Sequence, residues 1–138
     1  MEKELILLFL HIFLVSFFLN LLWEMAHSVL YETCLRAPLK KYIPLIISAS
    51  LKDGFWITFF YGVTVTVTRQ KNILTDPVAT VMFLLLTFGF AFADEKISIR
   101  MKRWTYTASM PTLFGVGLTP LLELAATGLI AVWYVMNR

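Results

Sequence analysis

Four side chains able to share protons or bind ligands recur along the first apolar segment at a helical spacing. Asn20, Glu24, His27 and Tyr31 follow one another at intervals of four, three and four residues. At about 100° per residue they fall within roughly 60° of one another on one helix face. A glutamate and a histidine one turn apart can exchange a proton, bind a metal ion or act as an acid–base pair. The stripe indicates an internal polar site; the alternative places these residues at the level of lipid headgroups.

Each of the other apolar segments carries a carboxylate of its own. Asp53 lies within the second segment, Asp94 and Glu95 end the third, and Glu123 lies near the middle of the fourth. Inserting a charged side chain at the centre of a membrane helix costs roughly 2.5–3.5 kcal/mol, so such residues are usually functional. Either member of the 94–95 pair can be the inward one. The alternative is that the charges at 52–53 and 94–95 simply mark membrane interfaces.

Composition excludes an ordinary soluble domain. Of the 138 residues 59% are hydrophobic and the mean hydropathy is +0.75, whereas soluble domains are about 45–50% apolar. The net charge of +3 is too small to suggest a nucleic-acid partner, and Cys34 is the only cysteine, which excludes an intrachain disulfide and CxxC chemistry. We expect one all-α domain over residues 1–138 that lipid covers.

Charged and turn-forming residues divide the chain into four segments long enough to cross a bilayer, which takes about 20 residues. The predicted spans are about 5–31, 42–68, 73–93 and 111–136. Asp76-Pro77 is typical of a helix start. The second span is either continuous at Lys52-Asp53-Gly54 or divided there into two half-helices. The fold class predicted is a polytopic membrane protein, a bundle of four transmembrane helices with an interfacial third loop.

Basic residues indicate the orientation of the spans. The connectors at 32–41 and 94–110 carry seven Lys and Arg residues, and the other side carries four. The positive-inside rule predicts that loops one and three face the cytoplasm and that both termini lie outside a prokaryotic cytoplasmic membrane. The connector at 94–110 interleaves basic and apolar residues, which suits an interface with anionic headgroups or contact with a phosphate-bearing substrate.

These observations select candidate residues for chemistry and for substrate contact. The catalytic candidates are the ionisable residues of the four segments: Glu24, His27, Asp53, Glu95 and Glu123. The substrate-binding candidates are the amide and aromatic residues near them: Asn20, Trp23, Tyr31, Trp56, Trp104 and Tyr106. A divalent metal is one option for a cofactor, with mixed imidazole and carboxylate ligands that suit zinc, manganese or iron. Its candidate ligands are Glu24, His27, Asp53 and Glu95.

Three functions fit this pattern. The first is a membrane-embedded enzyme that acts on a lipid or isoprenoid by acid–base or metal-assisted chemistry. The second is a proton- or cation-coupled transporter, for which four short helices would need to form a homodimer. The third is a structural or regulatory subunit, whose buried polar groups serve helix packing alone. Convergence of the polar side chains in one pocket would favour the first.

Two stretches of the chain carry a resemblance. One comprises Trp23-Glu24, His27 and Leu30-Tyr31, and the other runs from Trp104-Thr105-Tyr106 through Met110-Pro111 to Gly117-Leu118-Thr119-Pro120-Leu121-Leu122-Glu123. They resemble a loosely defined group of small, uncharacterised four-span prokaryotic membrane proteins, over most of the chain. The resemblance implies a four-span fold. It implies no activity, cofactor or site residue, because none attaches to that group.

Overall fold

The four apolar segments form the four longest helices of the chain. The computed structural model describes residues 2–138. In chain order its α-helices and strands are α1 (Glu2–His27), α2 (Glu32–Leu35), α3 (Leu39–Thr68), α4 (Pro77–Arg100), β1 (Thr112–Leu113), β2 (Val116–Gly117) and α5 (Leu118–Met136). Two short 3₁₀ helices, Ser28–Leu30 and Ile73–Thr75, lie in the connectors. The prediction of a mostly helical chain is confirmed. By length and composition alone, α1, α3, α4 and α5 are each able to cross a membrane.

The second segment is continuous where the sequence left a break open. Helix α3 passes through Lys52, Asp53 and Gly54 without interruption, with Asp53 buried and Lys52 exposed. Neighbouring helical residues point about 100° apart, so one charge can face inwards while the next faces outwards. Gly54 serves close packing, since a Cβ there would lie 3.3 Å from the backbone nitrogen of Phe17 on α1.

Helix α4 begins as expected and ends later than expected. Asp76 caps its start, because its carboxylate accepts hydrogen bonds from the next two free backbone N–H groups, at 3.2 and 3.3 Å. The helix then continues past Ala93, the predicted end of the span, to Arg100. Charged residues do not stop a helix, and Asp94 and Glu95 therefore lie on helical positions with fixed directions.

The start of the last helix also differs from the predicted span. Residues 112–117, expected to be helical, form a small antiparallel hairpin in which Thr112 pairs with Gly117, and α5 begins only at Leu118. Gly115 has a φ of +77°, a backbone conformation that favours glycine. Lys96 on α4 secures the hairpin by donating a hydrogen bond from Nζ to the carbonyl of Phe114 at 2.8 Å.

Packing separates an apolar half of the molecule from a polar one. Helix α1 packs against α3 and α5, and α4 packs against α5 and α3. In one half the largest fully buried side chains include Tyr61, Phe83 and Ile57. The polar half lies at the opposite ends of the same helices, where the connectors 28–38 and 101–117 meet. There Tyr31 and Tyr106 form an isolated antiparallel bridge.

The outer faces of the long helices are apolar. Large hydrophobic side chains are exposed along each of them, among them Ile6, Leu22, Leu51, Phe55, Val78, Leu85, Ile130 and Trp133. Soluble monomers rarely expose contiguous apolar surface on this scale.

Packing between α5 and α4 gives a test of the helix contacts. A Cβ on Gly128 would lie 2.7 Å from Cζ of Phe83, whereas a Cβ on Gly89 would meet no heavy atom within 4 Å. We expect Gly128→Ala to lower the free energy of unfolding by about 1–3 kcal/mol through overpacking. Gly89→Ala should be neutral or stabilising by about 0.5–1 kcal/mol. Thermal unfolding of both variants in one detergent is the measurement, and equal shifts would contradict this packing.

Candidate functional site

The polar stripe of the first segment faces the interior of the molecule. Asn20 is fully buried, and His27 and Tyr31 are each 7% exposed. Glu24 is largely buried as well, with 15% of its side chain exposed. Helix α1 ends at His27, and a short 3₁₀ turn carries the chain on to Tyr31, which keeps the fourth member on the same side.

Two carboxylates flank the imidazole of His27. Its Nε2 lies 3.4 Å from Oε2 of Glu24 on the same helix. Its Nδ1 lies 3.9 Å from Oε2 of Glu123, which comes from α5. One ligand atom from each of these residues lies within 4.8 Å of the others. We call Glu24, His27 and Glu123 the acidic–imidazole cluster.

Asp53 extends this cluster from a third helix. Its carboxyl group is buried and lies within hydrogen-bonding range of Glu24. Two carboxyl groups at that separation repel each other unless a proton or a cation lies between them. The adjacent Lys52 donates its hydrogen bond to Asp94 of α4 at 2.8 Å, so its charge acts on the pair only from a distance.

Glu95 from α4 belongs to a separate hydrogen-bond network. Its Oε1 accepts from the hydroxyls of Tyr106 at 2.6 Å and Tyr31 at 3.1 Å, and from the indole N–H of Trp104 at 3.0 Å. Tyr106 in turn accepts a hydrogen bond from the backbone N–H of Gly117 at 2.7 Å. Burial and the hydrogen bond to Glu95 raise the pKa of Tyr106, so its hydroxyl is a proton donor at neutral pH.

This network joins both connectors to the helix ends. Besides the bridge between the two tyrosines, the backbone N–H of Glu32 donates to the carbonyl of Thr105 at 3.0 Å, and that of Thr107 donates to Leu30 at 2.9 Å. The connectors therefore form a strap across the polar half. We call the side chains of Glu95, Tyr31, Trp104 and Tyr106 the Glu95 network.

A cavity of about 270 Å³ lies between the acidic–imidazole cluster and the Glu95 network. Ionisable side chains of all four long helices line it, namely Glu24, His27, Lys52, Asp53, Asp94, Glu95 and Glu123. Apolar and aromatic side chains complete the wall, among them Ile46, Phe90, Leu124 and Trp104. The cavity can thus hold an apolar group beside acid–base or metal-binding residues.

Four substrate-binding candidates lie outside the cavity wall: Tyr106, whose hydroxyl bonds to Glu95, and three others. Asn20 bonds to the carbonyl of Ser16 at 2.7 Å and accepts from Thr127 at 3.2 Å. Trp23 meets the ring of His27 edge-on at 6.4 Å. Trp56 is partly buried, with its ring centroid 4.3 Å from that of Phe90, and packs against the apolar core.

The structure also adds residues that sequence reasoning did not select. Cys34 and Arg103 of the connectors line the cavity. Only the loop contacts bring them there, and no spacing pattern in the sequence indicates it. Burial and the charge of Glu24 raise the pKa of the Cys34 thiol. Its thiolate fraction at neutral pH is therefore smaller than that of a free cysteine.

The chemistry of the site rests on its geometry alone. Comparison with protein-family models finds no match, and comparisons with curated proteins and with solved structures find none either.

Proposed function

We propose that this chain is an integral membrane protein, a bundle of four spanning helices, whose cavity is the active site of an enzyme. The substrate is an amphiphile of the lipid or isoprenoid class. The acidic–imidazole cluster carries out acid–base or metal-assisted chemistry on it. The observation that carries this proposal is the meeting of ionisable side chains from all four long helices in one cavity.

The membrane setting is supported by the lengths and the outer faces of the helices. The four candidate spans contain 28, 30, 24 and 19 residues, and about 20 residues cross the hydrocarbon layer. Their exposed faces carry leucine, isoleucine, valine and phenylalanine, which water would not solvate favourably. Lipid chains around the bundle would cover this surface.

An amphiphilic substrate is supported by the composition and reach of the cavity wall. Leu45 and Ser48 of α3 line the cavity and are exposed on the outer side of that helix. The cavity therefore extends to the apolar flank of the molecule. Within the cavity, the tail of an amphiphile would contact Ile46 and Phe90, and its polar end would contact Asp53.

The chemistry follows from the position of His27 between two carboxylates. An imidazole oriented by one carboxylate can take a proton from a substrate, and a second carboxyl group in its protonated form can donate its own proton at another substrate atom. Glu24 and Glu123 occupy these two sides of the ring. We favour this use over transport because the side chains of Tyr61, Phe83 and Ile57 fill the other half of the single chain.

Orientation and access can be tested together at Cys34. With loops one and three in the cytoplasm, a membrane-impermeant maleimide added to intact cells should leave Cys34 unlabelled, and a permeant maleimide should label it. Because the thiol pKa is raised, alkylation at neutral pH should be slower than that of free cysteine and should accelerate as pH rises. Mass spectrometry of the purified chain measures the label. Rapid labelling by the impermeant maleimide would indicate the opposite orientation, with loops one and three outside.

The activity is tested on the full chain in nanodiscs prepared from a total membrane lipid extract. Organic extracts of loaded and empty nanodiscs are compared by liquid chromatography and mass spectrometry over time. We expect one lipid or isoprenoid species to decline and another to appear only with the protein. Native mass spectrometry in parallel should find an amphiphile bound. If no species changes and no amphiphile is bound, the proposal is wrong.

A further inference from the structure

We propose that Glu24, His27 and Glu123 together bind one divalent transition-metal ion of the zinc, manganese or iron class. This assignment differs from the ligand set expected from sequence. Glu24 and His27 remain in the set and Glu123 joins it, whereas Asp53 and Glu95 are no longer ligands. The Oε1 of Glu95 already accepts three hydrogen bonds. Within residues 2–138 these three residues are the group whose ligand atoms lie close enough together.

The spacing of the ligand atoms is near that of a coordinated ion. Metal–ligand bonds of about 2.0–2.2 Å place neighbouring ligand atoms roughly 3.0–3.5 Å apart. One ligand atom from each of the three residues lies within 4.8 Å of the others. Glu24 lies 3.4 Å from Nε2 of the imidazole and Glu123 lies 3.9 Å from Nδ1, so an ion on either nitrogen has one of the two carboxylates close by. Small rotations of the two glutamate side chains would close the remaining gap.

A second observation points to a ligand independently of the spacing. His27 Nδ1 and Glu123 Oε1 are buried and have no hydrogen-bond partner among the described residues. The two residues are 7% and 4% exposed. Buried polar atoms are nearly always satisfied, because an unpaired one costs about 1–3 kcal/mol. Both atoms belong to residues that line the cavity, and one ion between them would satisfy both.

The charge around the cluster favours a cation. Five carboxyl groups line the cavity, against two permanently cationic side chains, Lys52 and Arg103. Lys52 bonds to Asp94 at 2.8 Å and not to the cluster. A divalent ion would offset the repulsion among Glu24, Asp53 and Glu123 from within the cluster, whereas Lys52 acts on it only from its position beside Asp94.

The donor set indicates the kind of metal. One imidazole and two carboxylates suit zinc, manganese and iron better than calcium or magnesium, which prefer oxygen ligands alone. Three protein ligands also leave a coordination position open, as catalytic sites do. Asp53, within hydrogen-bonding range of Glu24, is a positioning residue for that ligand.

The test is metal binding by the full chain in detergent. The protein is stripped with a chelator and titrated with Mn²⁺ and Zn²⁺ in separate calorimetric experiments, and the bound metal is counted by elemental mass spectrometry. We expect one ion per chain. Pulsed electron paramagnetic resonance of bound Mn²⁺ should show modulation from a coordinated imidazole nitrogen. That readout needs no substitution, so it is informative whatever the variants do.

Matched variants locate the ion. Glu24→Gln and Glu123→Gln keep side-chain volume and should weaken binding by about 100-fold or more, beyond the roughly 10–100-fold that loss of an outer partner costs. The controls are His11→Ala, on the exposed face of α1, and Glu32→Gln, whose carboxylate pairs with Arg36 at 3.0 Å. They should bind as the unaltered chain does. No stoichiometric binding, no imidazole signal, or equal loss in the controls would overturn the assignment.

This inference rests on the cluster and fails separately from the proposed activity. Binding of one ion per chain without conversion of any amphiphile would support the metal site and contradict the proposed enzymatic activity. Conversion of an amphiphile by chelator-treated protein that binds no metal would contradict the metal site and support an enzyme that uses acid–base chemistry alone.

Discussion

Replacement of Glu24 by glutamine should abolish conversion of the substrate while the chain still folds. The amide keeps the size of the side chain but removes the ionisable carboxyl group that lies 3.4 Å from Nε2 of His27. A positioned acid or base contributes typically 10²–10⁴-fold to a rate, and we expect a loss on the order of that range. His27→Ala should have an effect of similar size, since it removes the ring between the two carboxylates.

The measurement is single-turnover conversion in nanodiscs, with elution volume and thermal unfolding recorded for each variant. Groups that act as a unit are not additive, so the double variant should be little slower than either single variant. His11→Ala is the control for position, because His11 lies on the exposed face of the same helix. It should leave the conversion rate unchanged. Full activity of Glu24→Gln, or unfolding of both single variants, would point to a packing role instead.

Much of this architecture could be anticipated because hydropathy and helical spacing are local properties. Apolar runs of sufficient length predicted four long helices, and the structure has them. The interval between Asn20, Glu24, His27 and Tyr31 predicted a shared face, since a helix fixes the direction of each side chain from its position alone. Burial of the stripe then follows from its facing α3 and α5.

Element ends and loops were harder to anticipate because tertiary contacts decide them. Asp94 and Glu95 look like the end of a span, yet α4 continues because their carboxylates find partners on other elements. The hairpin at 112–117 depends on Lys96 from α4, which is far away in sequence. Hydropathy could not distinguish it from the start of α5, since both are apolar.

The membership of the site was predictable only in part. That Glu123 lies in an apolar helix was visible in the sequence, but its position beside His27 depends on how α5 packs against α1. For Trp56, helix packing has the opposite result, because it keeps a predicted site residue out of the site. Its helix position fits a cavity wall, but the ring packs on Phe90 from α4, against the apolar core, and it does not line the cavity.

Glu95→Ala should cause the largest loss of stability of any single substitution considered for this chain. The change leaves the hydroxyls of Tyr31 and Tyr106 and the indole N–H of Trp104 without their shared acceptor. An unsatisfied buried donor costs about 1–3 kcal/mol, so we expect the free energy of unfolding to fall by about 2–5 kcal/mol. Thermal unfolding in detergent, followed by tryptophan fluorescence, measures it.

Two matched variants separate the network from ordinary surface charge. Glu95→Gln keeps a carbonyl oxygen as acceptor and should lose less stability than Glu95→Ala. Asp94→Ala removes the neighbouring carboxylate, whose partly exposed ion pair with Lys52 is worth about 0–1 kcal/mol. Equal losses for Asp94→Ala and Glu95→Ala would contradict the proposed importance of the network.

The same network carries a pH dependence whose sign is fixed by Tyr106. Its pKa is raised in the folded chain, by burial first and by the hydrogen bond to Glu95 second. The stabilisation from its hydroxyl is therefore fully present below the unfolded tyrosine pKa of about 10 and is lost as pH rises toward the higher folded value. Tyr106→Phe removes that donor, so its stability should fall less steeply above pH 10 than that of the unaltered chain. A parallel fall in both would show that Tyr106 does not hold the strap to α4.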